Sequence, residues 1–103
     1  MLWREDNRRI YALGSNHRWS GYDDTWSEGQ PEYSCGSHST PPTPKRGFGK
    51  VWCEHESVRQ AVGQAVSDEH GAYGTVQDFV NGAIMRTGDG RTYVLLGDGT
   101  WQE

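Results

Sequence analysis

The sequence predicts a mainly β chain with one short helix, an α+β fold of antiparallel β-meanders in a tandem-repeat-like layout. Three observations lead there. Residues 71–101 hold three strand-forming runs, punctuated by Asn81-Gly82 and by the triplets Gly88-Asp89-Gly90 and Gly97-Asp98-Gly99. Fourteen glycines and an apolar content of 33% imply many turns and a core that leans on Trp and Tyr rather than on aliphatics. Finally, the chain resembles itself. A shift of 82 positions lays Tyr11 on Tyr93, Leu13 on Leu95, Trp19 on Trp101, Arg9 on Arg91 and Arg4 on Arg86, with Leu2 on Ile84, Asn16 on Asp98 and His17 on Gly99.

At 103 residues the chain is expected to form one small domain, residues 1–103. Within it, 1–26 read as a partial repeat meander, 27–53 as a Pro/Gly-rich connection, and 54–103 as a helix followed by a full meander. Residues 1–4 form a strand, Glu5 to Arg8 a turn, and residues 9–14 a second strand. Ser15-Asn16-His17 turn the chain toward Trp19. The stretch from Ser20 to Trp26 is aromatic and acidic, with no clear period. In the connection, Pro31, Pro41, Pro42 and Pro44 fix φ and remove donors, so regular structure is not expected over 27–50.

The two cysteines, Cys35 and Cys53, lie eighteen residues apart. A disulfide is the expected reading, worth roughly 3 kcal/mol by loop closure. Free thiols are a second reading. A metal site made of Cys35-x-x-His38 with Cys53-x-His55 is a third, although its second half is too tight for ordinary zinc spacing.

Ser57-Val58-Arg59-Gln60 has the form of a capping box, and Val58, Ala61, Val62, Ala65 and Val66 fall on one apolar stripe. The helix should start near residue 57 and end between 62 and 66, its apolar face covering the meander that follows. In that meander, an Asn81-Gly82 type I′ turn would set Val80 opposite Ala83 and Phe79 opposite Ile84. Phe79 and Ile84 would then share one face, Asp78 and Met85 the other, with Tyr93 and Leu95 together on the next strand. The first strand, lacking a counterpart of Thr75–Val80, should have its edge covered by the C-terminal meander or by a second copy of the chain.

From Val62 onward the chain resembles the LGFP repeat of bacterial cell-surface proteins. Val62-Gly63-Gln64-Ala65 takes the place of the Leu-Gly-Phe-Pro tetrapeptide, with Ala65 for the proline. Ser67-Asp68-Glu69 follows at the family spacing, then Phe79-x-Asn81-Gly82-Ala83-Ile84 and a closing Trp101. The likeness spans about forty residues. It implies a non-catalytic module on the outside of the cell, engaged with the cell wall.

The net charge of −4 offers no basic field for nucleic acid, and no apolar run approaches the length of a membrane span. No nucleophile elbow or phosphate-binding Gly-Lys loop is present. Asp68-Glu69-His70 read as a polar connection, and the Gly-Asp-Gly triplets as turn chemistry rather than calcium loops. No catalytic residue, metal ligand or cofactor is expected. The aromatic set carries more. Sugars bind against flat aromatic faces flanked by carboxylates, and Tyr22, Asp23, Asp24 and Trp26 offer both outside the self-similar region. These four are the candidate ligand-binding residues. The sequence thus points to an extracellular or cell-surface module that binds glycan or cell-wall polysaccharide. A self-assembling repeat, forming homo-oligomers or filaments, is the alternative.

Overall fold

The computed structural model describes residues 1–34, 43–65, 71 and 73–103. In chain order the elements are β1 (Leu2–Arg4), β2 (Arg9–Leu13), β3 (Trp19–Asp23), α1 (Arg46–Glu54), α2 (Glu56–Val62), β4 (Gly74–Phe79), β5 (Gly82–Thr87), β6 (Thr92–Leu96) and β7 (Trp101–Gln102). β1-β2-β3 form one antiparallel sheet and β4-β5-β6-β7 a second. The chain is mostly β, as expected, with two short helices instead of one.

Strand β2 organises the layers. Its side chains alternate, and both faces are buried. Ile10 and Ala12 meet Val51 of α1 and Val58 of α2, with Met1, Tyr22, Phe48 and Val62 around them. Tyr11 faces the other way, into a cluster with Met85 and Leu95 edged by Leu2, Leu13, Trp19, Tyr93 and Trp101. The order through the molecule is helices, first sheet, second sheet. The helices therefore cover the N-terminal meander, not the C-terminal one that the sequence favoured. Sequence adjacency misled here: α2 docks on the N-terminal sheet, where Ser15 N–H donates to Ala61 O at 3.1 Å and Val58 meets Ile10 and Ala12.

Helix α1 corrects the reading of 27–53 as a connection throughout. Pro44 sits just outside the N-cap Lys45, where a proline does no harm. Gly47 and Gly49 lower helix propensity, but both are buried and both serve close approach. A Cβ on Gly47 would lie 2.5 Å from Asp24 Oδ1 and 3.1 Å from Ile10 Cδ1, and one on Gly49 would lie 2.5 Å from Pro44 O. Packing wins over propensity. Helix α2 falls where expected, but its N-cap is His55 and no side chain caps it, so the Ser57 capping box is not used. Instead Gln60 Nε2 donates to Glu56 Oε1 one turn back, at 3.3 Å.

The β4–β5 hairpin keeps the two-residue loop that its Asn-Gly signal implies, but the loop sits one residue earlier. Phe79 pairs with Gly82 and Gln77 with Ile84, so Val80 and Asn81 make the turn. Gly82 belongs to β5, opposite Leu96, because the neighbouring strand comes too close for any side chain there. The pairing slips by two positions, which preserves the faces. Phe79 and Ile84 still share the outer face, and Asp78 and Met85 the inner one.

The two sheets meet along a reciprocal seam. Trp19 N–H donates to Gly99 O at 2.9 Å, and Trp101 N–H to His17 O at 2.8 Å. Trp19 Nε1 donates to Leu96 O at 2.8 Å, and Trp101 Nε1 to Gly14 O at 3.0 Å. A shift of 82 maps each bond onto its partner. The turns agree as well: Asn16 Oδ1 accepts from Arg18 N at 3.1 Å as Asp98 Oδ1 does from Thr100 N at 3.0 Å, and His17 and Gly99 both have left-handed φ, 62° and 89°. Tyr11–Trp19 and Tyr93–Trp101 ring centroids are 6.0 and 6.1 Å apart. The correspondence shifts to 83 in β1, because four residues separate Arg4 from Arg9 where three separate Thr87 from Arg91. Leu2 thus matches Met85 rather than Ile84, each lying opposite its tyrosine.

Among the described residues the expected cover for the edge of the first strand is not seen: β1 is an edge strand paired with β2 alone, and Trp3 is 45% exposed, while its inward side chains are covered from within the chain. Leu2 packs into the inter-sheet cluster. The Arg4 guanidinium, 7% exposed, grips Asp6 at 2.6 Å on its own sheet and Asp78 of β4 at 2.8 Å. Hydrogen bonding to Arg4 holds both carboxyls below the usual carboxylate range. Asp89 and Asp98 are also lowered, chiefly by Thr87 and Thr100 hydroxyls. Depressed folded values give stability that is present above the unfolded value, about pH 4, and lost as pH falls through the folded ones. The urea midpoint is therefore expected to drop between pH 7 and pH 3, and Asp78→Asn should narrow that drop. An equal drop in the variant would mean that the Arg4–Asp78 link carries none of the acid sensitivity.

Candidate functional site

A groove of about 190 Å³ opens between the end of β3 and helix α1. Tyr22, Asp23 and Thr25 line one side; Lys50, Glu54 and His55 line the other. Register explains the first side. Tyr22 lies opposite Ile10, so its ring points to the helix face of the sheet, where it is half-buried. Asp23, the next residue, points away and pairs with Arg9 at 3.4 Å. The second side comes from helix spacing: Lys50 and Glu54 lie four apart on α1, and His55 fills the break between the helices.

The floor is an aromatic pair. The Tyr22 and His55 ring centroids are 4.3 Å apart with the planes tilted by 35°. Around it stand the Glu54 carboxylate, the Lys50 ammonium and the Thr25 hydroxyl, while Asp23 lines the groove with its carboxylate turned to Arg9. The Lys50 ammonium donates to Thr25 O at 3.4 Å and ties the two walls together. Such a site offers a flat apolar surface edged by donors and acceptors. Among the described residues no group of three or more His, Cys, Asp or Glu is placed to hold a metal ion.

Of the four residues singled out from the sequence, Tyr22 and Asp23 line the groove. Asp24 turns the other way, its Oδ1 accepting from Trp26 N–H at 3.2 Å beside the Gly47 backbone. There its charge faces the first turn of α1, where the helix dipole favours an anion. Trp26 lies beyond it, and its indole donates to Pro31 O at 3.0 Å, fastening the following segment. Sequence reasoning missed Lys50, Glu54 and His55 because it missed α1. The apolar residues Phe48, Val51 and Trp52, spaced by three and four just after Pro44, were the available signal.

Cys53 lies in α1, where Arg59 of α2 donates to its carbonyl oxygen and to that of Trp52. Cys35, the other half of the expected bridge, lies outside the described residues, as do His38 and Asp68-Glu69-His70. Also among the described residues, no helix is long and apolar enough to cross a membrane. Comparison with protein-family models, with curated proteins and with solved structures finds no match.

Proposed function

We propose that the chain is a non-catalytic binding or anchoring module that takes a saccharide, glycan or cell-wall polysaccharide, in the groove beside Tyr22. The observation that carries this reading is the Tyr22–His55 pair at 4.3 Å, set in an open groove with Asp23, Lys50 and Glu54 at its rim. A pyranose has apolar C–H faces and a belt of hydroxyls. Its face suits the rings, and its hydroxyls suit the rim. Asp24 and Trp26 turn away from the groove, Trp26 fastening the segment that follows it. The likeness of Val62 onward to cell-surface repeats agrees with a cell-wall ligand outside the cell.

Titration with soluble cell-wall polysaccharide fragments, followed by intrinsic fluorescence, tests the proposal. Tyr22→Ala is expected to weaken binding about tenfold, or ~1.4 kcal/mol. Trp26→Phe, away from the groove, should bind like the parent. An unaltered parent protein that binds nothing across a broad glycan panel would falsify the reading.

Two further points belong to it. We read the two hairpins as copies of one unit, on the strength of the paired bonds across the seam. We also propose the Cys35–Cys53 disulfide, in keeping with an oxidising compartment. Protein from such a compartment, alkylated without reductant, should show no labelled cysteine by mass spectrometry. Two labels would reject the bridge and weaken the extracellular placement.

A further inference from the structure

We infer that the outer face of the second sheet docks an amphipathic helix with an apolar stripe and flanking carboxylates, supplied by a partner. The first sheet shows what such a face receives. Its outer positions Met1, Ile10 and Ala12 pack against α1 and α2. Through the correspondence of the two hairpins, Ile84 stands where Met1 does and Val94 where Ala12 does, while Thr92 takes the place of Ile10. On the second sheet no helix of the described residues lies over those positions. Phe79 is 51% exposed, and Ile84 and Leu96 are each 37% exposed. Pairing of Phe79 with Gly82, Gly82 with Leu96, and Ile84 with Val94 brings these side chains into one patch.

Size and charge decide the occupant. Three strands of five or six residues about 4.8 Å apart, with the two-residue β7 beside them, give a footprint of roughly 250 Å². A standard interface takes about 800 Å² of accessible surface from each partner, more than this face offers any occupant, so the occupant is a narrow element and charge chooses it. One helix, about 10 Å wide, fits the area. Among the described residues the only charged side chain on this face is Arg86, exposed between Thr75 and Thr92 and without an acidic partner. A second copy would bring another arginine and no carboxylate. A helix with glutamates beside its apolar stripe supplies what Arg86 lacks. This inference is independent of the saccharide site, which lies on the far side of the first sheet.

The test uses the whole chain and two synthetic peptides of about 18 residues, long enough to be helical. Both carry leucines at i, i+3, i+4 and i+7. One has flanking glutamates, the other lysines. Amide shifts are followed by NMR. The glutamate peptide is expected to move Phe79, Ile84, Val94 and Leu96 and to bind about tenfold tighter than the lysine peptide. Arg86→Glu should invert that order, and Ile84→Ser should abolish binding while amides elsewhere stay in place. Three results overturn the inference: no shifts on this face, equal affinity for the two peptides, or the same shifts produced by raising protein concentration alone, which would give the face to a second copy. Sugar titration reads Tyr22 and His55 instead, so the two proposals fail separately.

Discussion

Gly82→Ala is expected to destabilise the chain by about 3 kcal/mol or more. Gly82 has φ of 150°, a conformation that side-chain-bearing residues rarely adopt. An added Cβ would stand 2.0 Å from Leu95 O and 3.2 Å from Leu96 Cα. The obstacle is backbone of the neighbouring strand, so no rotamer change relieves it. Either β5 separates from β6 or the hairpin changes register, and a register change by one residue would turn Met85 out of the core. Urea denaturation measures the loss. A cost below about 1 kcal/mol would show that β5 and β6 are not held this close in solution. Glycines in open space give the control: Gly90 also has positive φ, 91°, but a Cβ there meets nothing within 4 Å. Gly90→Ala should therefore cost only the smaller conformational term, about 1 kcal/mol.

Leu95→Ala is expected to cost about 2–5 kcal/mol. Leu95 is 1% exposed and lies between the sheets, opposite both Ala83 and Trp101. Its removal leaves a cavity that small Ala83 does not fill, bounded by the Tyr11 and Trp101 rings that the seam holds in place. The neighbour on the same strand is the comparison. Leu96 points outward, 37% exposed, and Leu96→Ala should change stability by less than about 1 kcal/mol. Equal effects at the two positions, measured by chemical denaturation, would mean that β6 does not present Leu95 to the core.

Much of the β structure was legible because turn residues mark it. Glycine, Asn and Asp clusters located nearly every strand end, and the positions that match at a shift of 82 include Trp19 and Trp101, which bond across the seam. What turn chemistry does not encode is which neighbour a residue serves. Asn81-Gly82 reads as a turn because glycine permits positive φ; here the same glycine is needed because Leu95 O is close. That contact lies thirteen residues away and is invisible to a local reading. Helix α1 was lost for a similar reason. Gly47 and Gly49 count against a helix until Asp24, Ile10 and Pro44 are known to press against them. Half of the candidate groove went with α1. Tyr22 and Asp23 could be picked out by residue type, whereas Lys50, Glu54 and His55 face them only because α1 packs on β2.

The seam also bears on how much the intervening chain matters. Arg18 reaches Asp98 O across 80 residues of sequence, and the two tryptophan indoles bridge 77 and 87. In polymer terms these contacts form a non-covalent cross-link that closes one very large ring. The entropy of closing such a ring grows only as the logarithm of its size. Ten extra residues in a ring of about 80 would add only about 0.1 kcal/mol to that term. The segment between Trp26 and Pro44 is thus nearly free to vary in length as far as ring closure is concerned. Among its described residues the segment is fastened by the Trp26 indole on Pro31 O, by Arg46 N–H on Glu32 O at 2.7 Å, and by the Lys45 ammonium near Glu32 at 3.6 Å.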